Sequence, residues 1–123
     1  MSVIVVIDDN HENARLAARL LSPHHQVMVA NDGESGLTLV FDHQPDIALV
    51  DLGLPDIDGQ AIIGMIRQNP VLAHMRVVAF TAYPEETAYE IARVYGCDGV
   101  IIKPINTRVF VKQVEDILCR EQT

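Results

Sequence analysis

The stretch Ala48-Leu49-Val50-Asp51-Leu52-Gly53-Leu54-Pro55 decides the fold. An apolar run, Ile47 to Val50, ends there in a single carboxylate. Pro45 bounds the run on one side and Gly53 on the other. A run this short and unbroken reads as a strand buried on both faces, as in a parallel sheet covered by helices. Its last residue, Asp51, then falls at the rim where open α/β sheets bind their ligands. Two more runs end in polar groups: Val3 to Ile7 leads into Asp8-Asp9, and Val100 to Ile102 leads into Lys103-Pro104.

Outward from these runs the chain alternates strands with helices. Val3 to Ile7 is β-branched throughout and reads as a central strand. Ala14, Ala17, Ala18 and Leu21 recur at helical steps behind Asn10, a capping residue, and Pro23 stops them. Gln26 to Ala30 is a short strand of mixed polarity, suited to an edge. Leu37, Val40 and Phe41 mark a second helix after the Asn31-Asp32-Gly33 turn. Ile62, Met65 and Ile66 mark a third, behind Asp58-Gly59, and Asn69-Pro70 ends it. Val77 to Phe80 is a fourth strand ending at Thr81. Ala88, Ile91, Ala92 and Tyr95 mark a fourth helix with Gly96 at its C-terminus. Val100 to Ile102 is the fifth strand, and Phe110, Val114, Ile117 and Leu118 stripe the last helix. Five alternations predict an α/β fold with a doubly wound parallel sheet and helices on both faces. All strand C-termini then share one edge, and Asp8, Asp9, Asp51, Thr81 and Lys103 converge there.

Composition bounds the function. At 123 residues the chain reads as one domain spanning 1–123. It is 49% hydrophobic with no Trp, so the core is aliphatic. Net charge is -8, from 17 acidic against 9 basic residues, which argues against nucleic-acid binding through phosphates. No apolar run of about 18 residues and no basic leader are present, so neither a membrane span nor a secretory signal is expected. Cys97 and Cys119 lack metal-ligand spacing and read as small buried or half-buried residues of a cytoplasmic protein. His11, His24, His25, His43 and His74 read as solvated, and Met28, Met65 and Met75 as packing.

Taken singly, each rim residue has a plainer role. Asp8-Asp9-Asn10 could be a solvated loop and cap, Asp51 a loop cap, Thr81 a strand former and Lys103 a surface lysine. Their shared edge changes the weighing. Carboxylates within about 5 Å repel by on the order of 3 kcal/mol per pair at an effective dielectric of about 20. One lysine does not offset that, whereas a hard divalent cation does. Such an ion also polarises a phosphoryl oxygen, and a carboxylate can attack phosphorus to become an aspartyl phosphate.

At this point a resemblance becomes specific. Val6-Ile7-Asp8-Asp9-Asn10, Leu49 to Pro55, Asp58-Gly59, Ala79-Phe80-Thr81-Ala82 and Gly99 to Pro104 together resemble the receiver domain of bacterial two-component response regulators. The resemblance spans Val3 to about Leu118 and implies a flavodoxin-like five-stranded sheet of order 2-1-3-4-5 with five helices. It implies Asp51 as phospho-acceptor. It implies a Mg²⁺ (or Mn²⁺) site from Asp8, Asp9, Asp51 and the Gly53 backbone carbonyl. Lys103, the Thr81 hydroxyl and the Ala82 backbone N–H would hold the phosphoryl group, and Lys103–Pro104 would be cis. The implied donor is a histidine kinase or histidine phosphotransfer protein, and a downstream protein partner carries the output. The chain resembles stand-alone regulators, although a receiver excised from a hybrid kinase would look the same.

Similar receivers carry Tyr or Phe three residues before the lysine, where this chain has Val100. Val is stiff and cannot sweep the same volume, so coupling to the surface of the fourth helix, fifth strand and fifth helix should be weaker or differently routed. Tyr83 is the candidate substitute; its plainer role is that of a half-exposed loop residue. Gly53 offers no side chain to block or orient water, and Tyr83 is placed to cover the site. Two other readings compete: a receiver-like module that binds partners without phosphorylation, and a Mg²⁺-dependent phosphatase with an aspartate nucleophile. Gly53 stands where such phosphatases carry their general acid, which weighs against an enzyme. Flavin binding is disfavoured by the acidic edge.

Overall fold

The computed structural model describes residues 1–120. Positions 121–123, the end of the expected domain span, lie outside the described residues. The elements run β1 (Val3–Ile7), α1 (His11–Leu21), β2 (Gln26–Ala30), α2 (Gly33–His43), β3 (Ile47–Asp51), α3 (Gly59–Gln68), β4 (Arg76–Thr81), α4 (Glu85–Tyr95), β5 (Gly99–Ile102) and α5 (Phe110–Leu118). A 3₁₀ turn at Pro70–Leu72, unmarked by periodicity, joins α3 to β4. The strands form one parallel sheet of order β2-β1-β3-β4-β5. No helix among the described residues is long and apolar enough to cross a membrane.

Strand side chains alternate between two faces, and the two cores follow that period. Val5, Ile7, Ala48, Val50, Val77 and Ala79 pack against Val40 of α2 and Ile62, Ile63 and Ile66 of α3. Ile4, Val6, Ile47, Leu49, Val78 and Phe80 pack against Ala17 and Leu21 of α1 and Phe110, Val114 and Ile117 of α5. Burying each Val, Leu, Ile or Phe among them stabilises the fold by roughly 1.5–3 kcal/mol relative to exposure. β3 is buried along its whole length, as a central strand must be. Among the described residues β2 pairs only with β1, and it is partly exposed, as its mixed polarity requires.

Caps fix the helix starts. Asn10 accepts from the Asn13 N–H at 3.0 Å to open α1, and Asp32 accepts from the Ser35 N–H at 2.7 Å to open α2. Gly96 ends α4 with φ of 82°, a left-handed conformation that glycine adopts without strain.

Several side chains depart from the sequence expectations. Met65 is 44% exposed, and its neighbour Ile63 fills the core instead. Phe41 and Tyr95 are also exposed: the small residues Gly33, Gly36, Ala88 and Ala92 face inward and draw their helices close to the sheet. Cys119 is exposed because it follows the last turn of α5 rather than its buried stripe. His25 is not solvated. Its Nδ1 accepts from the Ser2 N–H at 3.2 Å and its Nε2 lies 2.9 Å from Glu115 Oε2.

Candidate functional site

The chain order reverses between β1 and β3, which opens a crevice at their C-terminal ends. Asp8 leaves β1 at this crevice. Its backbone N–H donates to the Ala30 carbonyl at 3.0 Å and its own carbonyl accepts from the Asn31 amide at 2.9 Å, so β2 and its turn fix it. Asp8 Oδ1 accepts from the Asn10 N–H at 2.9 Å. Asp9 follows it and is exposed. Asp51 ends β3, where Oδ1 accepts from the Gly53 N–H at 2.9 Å.

A close backbone approach holds Asp51 in place. Gly59, the first residue of α3, lies against the end of β3: a Cβ there would meet the Asp51 carbonyl oxygen at 2.3 Å and Leu52 Cα at 2.6 Å. Only glycine lets α3 begin this near the strand. Asp56, in the intervening loop, accepts from the Gly33 and Glu34 N–H groups of α2 at 2.8 and 3.0 Å. Those two bonds hold its carboxyl below the usual range.

One carboxylate oxygen each from Asp8, Asp9 and Asp51 lies within 4.8 Å of the others. Lys103, just past β5, reaches into the group: Nζ is 2.8 Å from Asp8 Oδ2 and 3.4 Å from Asp51 Oδ2. Its backbone N–H donates to the Thr81 carbonyl at 2.8 Å, and the Lys103–Pro104 peptide is cis, as the resemblance implied. Thr81 is buried at the end of β4, and its Oγ1 accepts from the Tyr83 N–H at 3.0 Å. Ala82 is exposed beside it.

Charge in this crevice is not balanced. Burial, its largest cause, raises the Asp8 pKa above the usual value despite Lys103. The Asp9 pKa is also raised: although the residue is exposed, its carboxyl is partly desolvated at the crevice, and the neighbouring Asp51 adds to this. Asp8 Oδ2 is fully buried, and its close partner is the Lys103 ammonium at 2.8 Å, which Asp51 shares at 3.4 Å. Three carboxylates facing one ammonium leave excess negative charge at a partly buried site, which is costly. An all-oxygen donor set with that excess charge fits a hard divalent cation such as Mg²⁺.

All the rim residues singled out in the sequence, Asp8, Asp9, Asp51, Gly53, Thr81, Ala82 and Lys103, stand at this one edge. Val100 is half-buried and packs on the α2/α3 side of the sheet, and Tyr83 is 37% exposed. Around Gly53 there is room, since an added Cβ would meet only Asp51 Oδ1, at 3.7 Å. The sequence pointed to Asn31 only as a turn and did not single out Asp56. Both act through contacts between elements distant in the chain.

The chain is similar to known proteins over nearly its whole length. The family model described as the response regulator receiver domain matches residues 4–115. The polar-differentiation response regulator DivK of Brucella anthropi is 28% identical over 116 residues, which cover 94% of each chain. A putative response regulator from Chloroflexus aurantiacus superposes with a TM-score of 0.89 at 26% identity, covering 97% of this chain and 98% of that one. A CheY-like receiver domain protein from Methanospirillum hungatei shares the fold, with a TM-score of 0.86 at 22% identity over 96% of this chain and 94% of that one.

Proposed function

We propose, from the premise that this chain belongs to the response regulator receiver domain family, that residues 1–123 form one receiver domain whose phospho-acceptor is Asp51. The domain is a signalling switch of two-component systems rather than a substrate-converting enzyme. The observation that carries the assignment is the position of Asp51. It ends the fully buried β3, within reach of Asp8, Asp9 and Lys103.

A histidine kinase or histidine phosphotransfer protein supplies the phosphoryl group. The P–N bond of its phosphohistidine breaks as a P–O bond forms to Asp51, and the imidazole leaves with the bonding pair and takes up a proton. Asp8, Asp9, Asp51 and the Gly53 carbonyl would hold Mg²⁺ (or Mn²⁺), which neutralises charge on the transferring group. Lys103, already beside Asp51, pairs its ammonium with a phosphoryl oxygen. The Thr81 hydroxyl and the Ala82 N–H donate to the other oxygens. When Thr81 turns toward the phosphoryl group, the Tyr83 N–H loses its acceptor, and the loop after β4 shifts.

Output passes through protein contacts. Tyr89, Val94 and Tyr95 of α4 are exposed and offer apolar side chains to a partner protein. An aspartate-nucleophile phosphatase is disfavoured because Gly53 supplies no general acid. The test is intact mass after exposure to acetyl phosphate. A gain of one phosphoryl group that is lost with chelator and in Asp51→Ala supports the reading. Failure with acetyl phosphate and with a phosphorylated histidine phosphotransfer protein would leave the phosphorylation-independent binding module.

A further inference from the structure

The Lys103 ammonium is held on more than its carboxylate side. Besides Asp8 at 2.8 Å and Asp51 at 3.4 Å, it lies over the ring of Phe80, 4.8 Å from the centroid. Phe80 is fully buried in β4, one residue before Thr81. Its ring is braced by Phe110 of α5, with centroids 6.1 Å apart and planes inclined at 36°. The pair belongs to the core between the sheet and helices α1 and α5.

An ammonium is drawn to the face of an aromatic ring by the ring's quadrupole, most strongly where water is excluded. Lys103 is only 10% exposed, so that condition is met. Lysine also carries its charge on a flexible four-carbon stem, and the two carboxylates alone do not define where along their edge it stands. A fixed ring beneath the ammonium does. An aliphatic residue would fill the same core volume but offer no attraction to the charge.

We propose that Phe80 is a positioning residue for Lys103. Its ring, braced by Phe110, holds the ammonium at the point where it meets a phosphoryl group arriving on Asp51. This rests on the assignment of Asp51 and Lys103 to phosphoryl transfer. It also gives Lys103 a direct line to α5, a route that does not use the Val100 position.

The test separates the ring's electronics from its bulk. Phenylalanines carrying one, two and three ring fluorines, placed at position 80 of the full chain, weaken the quadrupole with little change in volume. The rate of Mg²⁺-dependent labelling by acetyl phosphate should fall stepwise, by about ten-fold across the series, while Tm stays level. A flat series, or a fall that follows Tm, would overturn the proposal. A second readout needs no phosphorylation. The Lys103 Hε protons should carry a ring-current shift in NMR spectra that Phe80→Leu abolishes; a shift that persists in the variant overturns the proposal. If the unmodified protein took up no phosphoryl group from any donor, the reading of the site would fall separately, and the ring-current result would decide the role of Phe80 alone.

Discussion

A Cβ on Gly59 would stand 2.3 Å from the carbonyl oxygen of Asp51. No flexible side chain can yield there, because the obstacle is backbone. Gly59→Ala should therefore push the start of α3 away from β3 and displace Asp51 from Asp8 and Lys103. We expect a destabilisation of about 1–3 kcal/mol, typical of overpacking, together with slower phosphorylation. Chemical denaturation and acetyl phosphate labelling check it. Unchanged stability would contradict the account of α3 placement.

Asp8 is buried, and burial raises its pKa although the Lys103 ammonium stands 2.8 Å from Oδ2. A carboxyl whose folded pKa is raised favours the folded state most below its unfolded value, near 3.8, and loses that benefit as pH rises through the folded value. At neutral pH its charge is therefore a cost in the metal-free protein. Asp8→Asn should raise Tm by a few degrees without metal, weaken Mg²⁺ binding and remove the added stability that Mg²⁺ confers. Thermal melts with and without Mg²⁺ check this, and a lower metal-free Tm would contradict it.

Much of the site was legible because its residues end β-branched runs, and a parallel sheet sends all such ends to one edge. Lys103 and Asp8 are 95 positions apart (103 − 8), yet both follow strand runs that the sequence marks plainly. What stayed hidden depends on how separate elements meet. Phe80 reads as one more core residue until the register of β4 and β5 brings Lys103 over its ring. His25 reads as solvated because its partners, Ser2 and Glu115, lie 23 and 90 positions away. Met65 and Ile63 differ by two positions on one helix, and apolar spacing alone did not say which faces the sheet.

Tyr83 donates its backbone N–H to Thr81 Oγ1 at 3.0 Å, a bond that survives truncation of its side chain. Tyr83→Ala thus removes only the partly exposed ring. If that ring shields the phosphoryl group on Asp51, the variant should lose phosphate several-fold faster with unchanged folding. Following the decay of the phosphorylated mass over time checks this, and an equal or longer lifetime would remove the shielding role.

The two cysteines should react differently. Burial pushes the Cys97 thiol up to about 11, whereas Cys119 is exposed at the end of α5. Because the thiolate is the nucleophile, iodoacetamide near pH 8 should label Cys119 and spare Cys97 until the protein is denatured. Peptide mapping checks the order; prompt labelling of Cys97 in the folded protein would contradict its packed position.

The most direct test of the account is the chemical identity of the acceptor. Acyl phosphates are reduced by borohydride, which converts a phosphorylated aspartate to homoserine. After phosphorylation with Mg²⁺ and reduction, peptide sequencing should find homoserine at position 51 and unaltered aspartate at positions 8 and 9. Homoserine at 8 or 9, or a phosphoryl group on any other residue, would contradict the assignment of Asp51.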